Sequence, residues 1–301
     1  MDNLKKIKSN RAFTLIEISI VLVIISLLIG IISQTSGFIK KSLLAKVQIL
    51  TKNSPVLYIE GLELWLETSL ESSFEKDIEN DDIVKIWYNQ NSKSYNKNNA
   101  TNQITDTQPK YISNVFNNVI AGVRFDGDND ILQFNDNQIN NNFTIFIVAI
   151  NKASHQIDSE TYSGTGGTTQ QKYILYPGHG GSSQAGVGIS MGINGISSYE
   201  HGSNYMPALA VYNDSNISTK ANIFGIVIKN KQHLLYLNGS LVRTGLTSTR
   251  SNSYLSYTIG GGLWGYWQGD IAEFIIYDRI LKESEKTSIE NYLSKKYNIK
   301  L

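Results

Sequence analysis

The sequence RAFTLIE at residues 11–17 opens an apolar run that continues to Ile32. Of the twenty residues from Phe13 to Ile32, only Glu17 is charged. A helix rises about 1.5 Å per residue, so twenty residues span roughly 30 Å, the thickness of the hydrocarbon core of a bilayer. The run therefore predicts a transmembrane helix over residues 13–32.

The residues before this run are mostly basic. Lys5, Lys6, Lys8 and Arg11 precede it, against the single acid Asp2. Positive residues next to a membrane helix stay in the cytoplasm. The sequence therefore predicts a cytoplasmic N-terminus and a head exported across the membrane.

A carboxylate inside an apolar helix is costly, and a simple membrane anchor does not need one. The residues AFTLIE at 12–17 resemble the cleavage and methylation motif of type IV prepilins and pseudopilins, although that family usually has Gly where this chain has Ala12. The resemblance implies that prepilin peptidase cleaves between Ala12 and Phe13 and methylates the amine of Phe13. It also implies that Glu17 pairs with the N-terminal amine of a neighbouring pilin or pseudopilin subunit during assembly, which fits the need of a buried carboxylate for a cation.

Two simpler interpretations are a signal anchor and a cleaved secretory signal peptide. The apolar run is longer than the 7–15 residues of a signal-peptide core, and no small-x-small site follows it cleanly. A signal anchor leaves Glu17 and the order of residues 13–17 unexplained. We therefore expect a single-pass protein of the bacterial inner membrane, with its head in the periplasm or on an extracellular filament.

The helical pattern continues beyond the apolar run. Ile39, Leu43, Val47 and Leu50 recur at three- or four-residue spacing, and the helix is expected to stop at Asn-Ser-Pro, residues 53–55. The predicted organisation is a leader peptide at 1–12, a pilin-like helix at 13–54 and a head at 61–301.

Composition excludes some functions. The 301-residue chain has a net charge of +1 and no cysteine, so it carries no basic field for nucleic acid and no disulfide. Its four histidines are scattered, which argues against a zinc site.

From Gly61 onward the apolar period changes to two, as in strands. The candidate strands are 62–66, 83–88, 120–125, 143–150, 172–176, 185–191, 207–212, 223–229, 233–237, 240–243, 256–259 and 270–277. Many short strands without intervening helices predict a mainly β fold, an antiparallel β-sandwich or jelly roll. Asn238-Gly239 between two alternating runs is typical of a type I′ hairpin, and residues 283–297 predict a short C-terminal helix.

Several phrases of the head together resemble the concanavalin A-like, laminin G-type jelly roll of bacterial surface proteins. They are LELWL at 62–66, VRFDG at 123–127, LNG at 237–239 and GDIAEFIIY at 269–277. The resemblance implies two stacked antiparallel sheets and a carbohydrate or protein ligand, often with calcium. Some relatives are glycoside hydrolases, so the fold alone does not decide the function.

Residues 89–108 are rich in Asn, Lys, Ser and Thr, and residues 154–171 are rich in Ser, Gly, Thr and Gln, so both segments offer little to bury. They are predicted to be long, poorly ordered surface loops.

Asp126, Asp128 and Asp130 place three carboxylates at alternate positions of one turn. Hard oxygen ligands at this spacing suit Ca²⁺. A turn shaped by the same residues without any metal is the favoured alternative, since no Gly or closing Glu completes an EF-hand loop.

Trp264 and Tyr266 lie in a glycine-rich loop and are the candidate ligand-binding residues, because exposed aromatic rings stack on sugar rings. Trp267, Trp65 and Trp87 are predicted to be core residues.

Glu75 and Glu79 match the Glu-x-Asp-x-Glu pattern of laminarinase-type hydrolases on this fold, with Lys76 at a middle position. Such a pair must alternate on one strand beside a cleft, with the carboxylates about 5–5.5 Å apart. The surrounding residues predict a loop instead, so no catalytic residue is assigned.

The function predicted from the sequence is a prepilin-like minor pilin or pseudopilin that displays a lectin-like domain for adhesion or ligand binding. One alternative is a structural filament cap or spacer without a ligand. A membrane-tethered glycoside hydrolase is the other alternative, and no enzyme is predicted.

Overall fold

The computed structural model describes residues 13–93, 98–178, 181–218 and 220–301, without the side chains of 31–34 and 36. Ala12, the residue before the predicted cleavage point, lies outside this part. The chain divides into two units between Ala45 and Lys46, and each is described by itself.

The first helix, α1 (Leu15–Lys52), ends directly before the Asn-Ser-Pro stop, as predicted. Its N-terminus is closed by a reciprocal capping box. The backbone amide of Thr14 donates to Oε2 of Glu17 at 2.8 Å, and the amide of Glu17 donates to Oγ1 of Thr14 at 3.2 Å. Glu17 therefore caps its own helix within the isolated subunit.

The apolar side chains near the start of α1 are exposed, including Leu15 at 85% and Ile29 at 62%. Within the described residues, no helix has the length and apolarity that crossing a membrane requires. The membrane span predicted over residues 13–32 is thus not confirmed.

The head is built from nineteen strands in the described part of the chain. They are β1 (Leu62–Glu67), β2 (Ile86–Trp87), β3 (Ala100–Thr101), β4 (Lys110–Phe116), β5 (Ile120–Asp126), β6 (Leu132–Gln133), β7 (Asn142–Asn151), β8 (Tyr173–Tyr176), β9 (Gln184–Gly192), β10 (Gly195–His201), β11 (Ala208–Asn213), β12 (Asn222–Lys229), β13 (Gln232–Leu237), β14 (Ser240–Thr247), β15 (Asn252–Leu255), β16 (Thr258–Ile259), β17 (Gly261–Gly262), β18 (Gly265–Tyr266) and β19 (Gln268–Tyr277). A second helix, α2 (Glu283–Tyr297), follows the last strand.

These strands form two sheets. The first sheet has the order β14-β13-β12-β7-β19-β5-β4, and β1 also pairs with β19. The second has the order β11-β10-β9-β8-β16-β6-β3-β2, with β15 beside β9 and β18 beside β8. The pairing is antiparallel except where β15 meets β9 and β18 meets β8. The mainly β, antiparallel fold with a short C-terminal helix is therefore confirmed.

The central strands of the first sheet are largely apolar because both of their faces are buried. On β7, Ile145 and Ile147 point into the core between the sheets. Phe146 and Val148, which alternate with them, join a second core that also contains Leu293 of α2. Helix α2 therefore covers the outer face of the first sheet.

The predicted Asn-Gly hairpin is confirmed. Asn238 and Gly239 have φ of +47° and +81°, and Leu237 pairs with Ser240 across the turn.

The described residues of the two segments that composition predicted to be poorly ordered differ from that prediction, whereas residues 94–97 lie outside the described part. Residues 89–108 bury Asn98 and Asn102, whose side chains bond to the chain around them. Residues 154–171 bury Ile157 and Gln171 against the second sheet. Side-chain amides replace apolar contacts in both segments, which composition alone does not reveal.

Candidate functional site

Three side chains, Tyr176, His201 and Trp264, are in ring contact on the second sheet, and Tyr266 follows on the adjoining strand β18; these four residues form the aromatic group. The ring of Trp264 stacks on Tyr176 with centroids 5.6 Å apart and planes 20° apart. His201 approaches Trp264 at 4.2 Å between centroids, with planes inclined at 64°. All four side chains are partly exposed, so they form a surface and not a core.

The alternation of β10 places this group on the outer face of the second sheet. Ile196 points into the core between the sheets, so Tyr199 and His201, at odd positions, face away from it. Trp264 lies in the turn that joins β17 to β18, and a Cβ atom on Gly262 would come within 2.6 Å of the Tyr176 ring. Glycine at 262 is therefore required for the loop to lie against Tyr176.

Burial keeps the polar atoms of this group neutral. It raises the pKa of the Tyr176 phenol to about 12, with a backbone hydrogen bond from Leu263 opposing the shift. Burial also lowers the pKa of His201. Nδ1 of His201 lies 3.1 Å from the carbonyl oxygen of Pro177, which only accepts, so the neutral ring donates from Nδ1 and holds an acceptor lone pair at Nε2.

The structure thus brings together the two sequence-predicted residues, Trp264 and Tyr266, with two that sequence reasoning missed, Tyr176 and His201. The two missed residues lie on separate strands 25 positions apart. No local pattern marks them, because the pairing of β8, β9 and β10 creates their proximity. Trp267 is fully buried, as predicted, and its Nε1 donates to Oδ1 of Asn151 at 2.8 Å.

The residues from 153 to 171 cover the neighbouring part of the same face. His155 Nε2 lies 2.9 Å from the hydroxyl of Ser190, and the Tyr199 hydroxyl donates to Asp158 at 2.8 Å. The Tyr173 hydroxyl donates to the carbonyl of Gly167 at 2.6 Å. We name residues 153–171 the cover segment. The aromatic group lies at its edge.

The Asp126–Asp130 turn is shaped by its own hydrogen bonds. Asp126 Oδ1 accepts from the amide of Asp128 at 2.8 Å, and Asp130 Oδ2 accepts from the amide of Asp126 at 2.9 Å. Burial raises the pKa of Asp130 to about 6. In the stretches that the structure covers, no three His, Cys, Asp or Glu side chains are grouped to hold a metal.

A cleft of about 470 Å³ lies where the chain enters β1. Glu63 lines it and accepts through Oε1 from the side-chain amides of Asn98, at 3.0 Å, and Asn137. Leu57 and Ile59 form its apolar wall. Sequence reasoning did not identify this cleft, because Glu63 lies on β1 whereas Asn98 and Asn137 come from two distant loops.

The hydrolase pattern is not formed. Glu75 and Glu79 are exposed and lie outside the strands, so they do not alternate along a cleft. A second arrangement, Ser198, His233 and Glu200, looks like a nucleophile, base and acid. The Ser198 hydroxyl is 2.7 Å from Nδ1 of His233, but all three residues have no exposed surface and no substrate reaches them.

A buried charged cluster joins α2 to the first sheet. Nζ of Lys296 lies 3.0 Å from Glu67 on β1 and 2.9 Å from Glu273 on β19. Glu273 also accepts from the indole of Trp65 at 2.7 Å and the hydroxyl of Tyr297 at 2.8 Å. Its members are fully buried, so the cluster holds elements together and contacts no ligand.

Comparison with known proteins finds matches for the N-terminal segment and for the head. Residues 7–33 match the model of the prokaryotic N-terminal methylation motif. A search of curated proteins finds no match.

Solved structures resemble the head. Trypanosoma rangeli sialidase in complex with sialic acid has a TM-score of 0.50 and 16% identity over 79% of this chain and 34% of that chain. The binding domain of botulinum neurotoxin DC in complex with rat synaptotagmin II has a TM-score of 0.50 and 13% identity over 78% of this chain and 52% of that one. This chain thus spans a third to about half of their lengths.

At these identities the similarity shows the fold alone. The chain therefore carries an N-terminal methylation motif of the type IV prepilin kind, and its head has a jelly-roll β-sandwich fold.

Proposed function

We propose that this chain is a prepilin-like minor pilin or pseudopilin whose head binds a carbohydrate ligand on a cell or protein surface. The motif at residues 7–33 supports assembly into a filament. The aromatic group on the outer face of the second sheet carries the ligand-binding part of the proposal, because partly exposed rings offer apolar faces to a sugar ring.

Processing follows from the motif. Prepilin peptidase cleaves between Ala12 and Phe13 and methylates the new amine, and Glu17 then pairs with the N-terminal amine of a neighbouring subunit. The leader is residues 1–12, the helix 13–54 and the head 61–301. The apolar surroundings of Glu17 in the sequence support this proposal, because a carboxylate buried in an apolar helix bundle needs a cationic partner.

Before assembly, residues 13–32 hold the subunit in the inner membrane. The sequence of the whole run supports this proposal, since it has a single charge among twenty residues. Fractionation tests it: the unassembled subunit is expected in the membrane fraction after a carbonate wash, and release by that wash contradicts it.

Ligand binding is tested by replacing Trp264 with alanine in the full chain and measuring binding to a glycan array. Tyr162→Ala is the matched control, because Tyr162 is 54% exposed and no ring contact joins it to the aromatic group in the described structure. We expect Trp264→Ala to lose glycan signals that Tyr162→Ala keeps. Equal glycan-binding signals for the wild type and both variants would instead support a structural cap or spacer.

Calcium binding at the Asp126–Asp130 turn is a separate and less favoured proposal that rests on the sequence alone, because in the described residues these carboxylates accept from the amides of their own turn and are not grouped to hold a metal. A calorimetric titration of the full chain with CaCl₂ tests it. Heat of binding that Asp126→Asn abolishes supports the site, and no heat up to millimolar Ca²⁺ rules it out.

A further inference from the structure

The aromatic group combines ring surfaces with a small number of neutral polar atoms. The Tyr176 phenol keeps its proton at neutral pH, because burial raises its pKa to about 12, so its hydroxyl can donate. His201 holds its acceptor lone pair at Nε2, because Nδ1 donates to Pro177. Nε2 has no hydrogen-bond partner within the described residues, and it is not among their buried unpaired atoms, so it is open to solvent.

The exposed polar atom of His201 is a hydrogen-bond acceptor. Nε2 offers only a lone pair, because Nδ1 donates to the carbonyl of Pro177. A carboxylate also only accepts, so it finds no donor at Nε2, whereas a sugar hydroxyl can donate there. A ligand that brought a carboxylate to this atom would lose water around its charge and gain no hydrogen bond in return, which is unfavourable.

These observations match the chemistry of an uncharged sugar. A pyranose has an apolar face of C–H groups and a rim of hydroxyls that donate and accept. The rings suit its apolar face, Nε2 of His201 suits a donating hydroxyl, and the Tyr176 hydroxyl suits an accepting oxygen.

We infer that the aromatic group selects a neutral pyranoside over an anionic sugar such as a sialoside, with His201 as a specificity-determining acceptor. This inference rests on the proposed function, since it names the ligand class of the same site. The head would then bind a different class of ligand from the sialidase in complex with sialic acid, although the two share a fold.

The test uses the full chain in detergent micelles and biolayer interferometry. Probes are one carrier protein bearing lactose, maltose, chitobiose, α-mannobiose or 3′-sialyllactose, with the bare carrier as blank. Lactose and 3′-sialyllactose form a matched pair that differs by a single charged residue. The variants are Trp264→Ala and His201→Ala, with Tyr162→Ala as control, each checked for a cooperative thermal transition.

We expect the wild type to bind at least one neutral conjugate, and 3′-sialyllactose no better than the bare carrier. Trp264→Ala and His201→Ala each weaken binding of the neutral conjugate about tenfold or more, and Tyr162→Ala leaves that binding unchanged. Trp264-dependent binding of 3′-sialyllactose, as tight as any neutral probe, overturns the neutral preference and leaves the proposed function standing. Binding that neither Trp264→Ala nor His201→Ala weakens, or no binding of any probe, overturns both.

Discussion

Lys296 holds the C-terminal helix α2 against the first sheet. It is fully buried between two carboxylates, and burial alone would lower its pKa. The charges of Glu273 and Glu67 outweigh burial and raise the pKa of Lys296, so the lysine stays charged. Burial would likewise raise the pKa of Glu67, but the Lys296 charge and the hydroxyls of Ser69 and Ser73 lower it.

Replacing Lys296 with methionine is therefore expected to lower the free energy of unfolding by about 3–5 kcal/mol, because two buried carboxylates lose their shared cation. Lys295→Met is the matched control, since Lys295 is the adjacent residue and its side chain is exposed. Urea unfolding of the full chain, followed by tryptophan fluorescence, measures both. Equal midpoints for the two variants would contradict this role for Lys296.

Two of the four residues of the aromatic group could be predicted from the sequence. Trp264 and Tyr266 stand in a glycine-rich loop, where a large ring has little core to enter, and the structure shows them partly exposed. Tyr176 lies on a predicted strand whose pattern does not distinguish core from surface, and His201 lies on β10, which the sequence did not predict. Only the pairing of distant strands shows that they join Trp264.

The cover segment is the element whose stability is expected to depend most on pH. It holds His155, whose pKa burial lowers to about 4, with a smaller effect of the Lys172 charge. The unfolded histidine takes up a proton as pH falls below about 6.5, whereas the folded one stays neutral until about pH 4. The unfolded state then binds more protons, so stability falls as the pH drops through this window.

His155→Gln is predicted to remove this dependence. The wild-type cover segment should become more sensitive to limited proteolysis between pH 6.5 and 4, whereas the variant should be cut at a constant rate once corrected for protease activity. His201→Gln serves as the control, because His201 lies outside the segment. An unchanged pH profile in His155→Gln would show that another group controls the segment.

Strand prediction was most successful where the apolar pattern is strong. The runs that became β7, β12 and β19 were recognised because apolar residues fill them nearly without a break. β10 was missed because it carries Ser198 and Glu200, which are buried as partners of His233 and Ser253. Polar residues paired across the core look like surface residues in a sequence.

The asparagine-rich segment, residues 89–108, shows the same limit. Asn89 accepts the backbone amide of Trp65 at 2.9 Å, and Asn102 donates to the carbonyl of Thr107 at 2.7 Å. Such side chains satisfy the backbone polar groups of an irregular loop and so allow it to be ordered. Composition alone predicts disorder for these residues, since it counts only what they bury.

In the whole molecule, assembly is expected to depend on the N-terminal helix and ligand binding on the head, and Glu17 acts in assembly. Glu17→Ala is predicted to be cleaved and methylated normally but to be incorporated into filaments at least tenfold less, because the new amine of its neighbour loses a carboxylate partner. Immunoblots of sheared filaments and of membranes measure the ratio.

Thr14→Ala is the matched control for that prediction. It removes the threonine side chain from the capping box and keeps the Glu17 carboxylate, so it should assemble like the wild type. If Thr14→Ala fails as Glu17→Ala does, the carboxylate acts by closing its own helix and not by pairing with a neighbour.

The most direct test of the central claim is the N-terminal residue and mass of the protein extracted from the membranes of its own host. The account predicts a chain that begins at N-methylated Phe13, which requires the peptidase to accept Ala12 before the cut. An intact Met1, or a cut beyond residue 30, would contradict prepilin processing and leave an anchored or secreted β-sandwich.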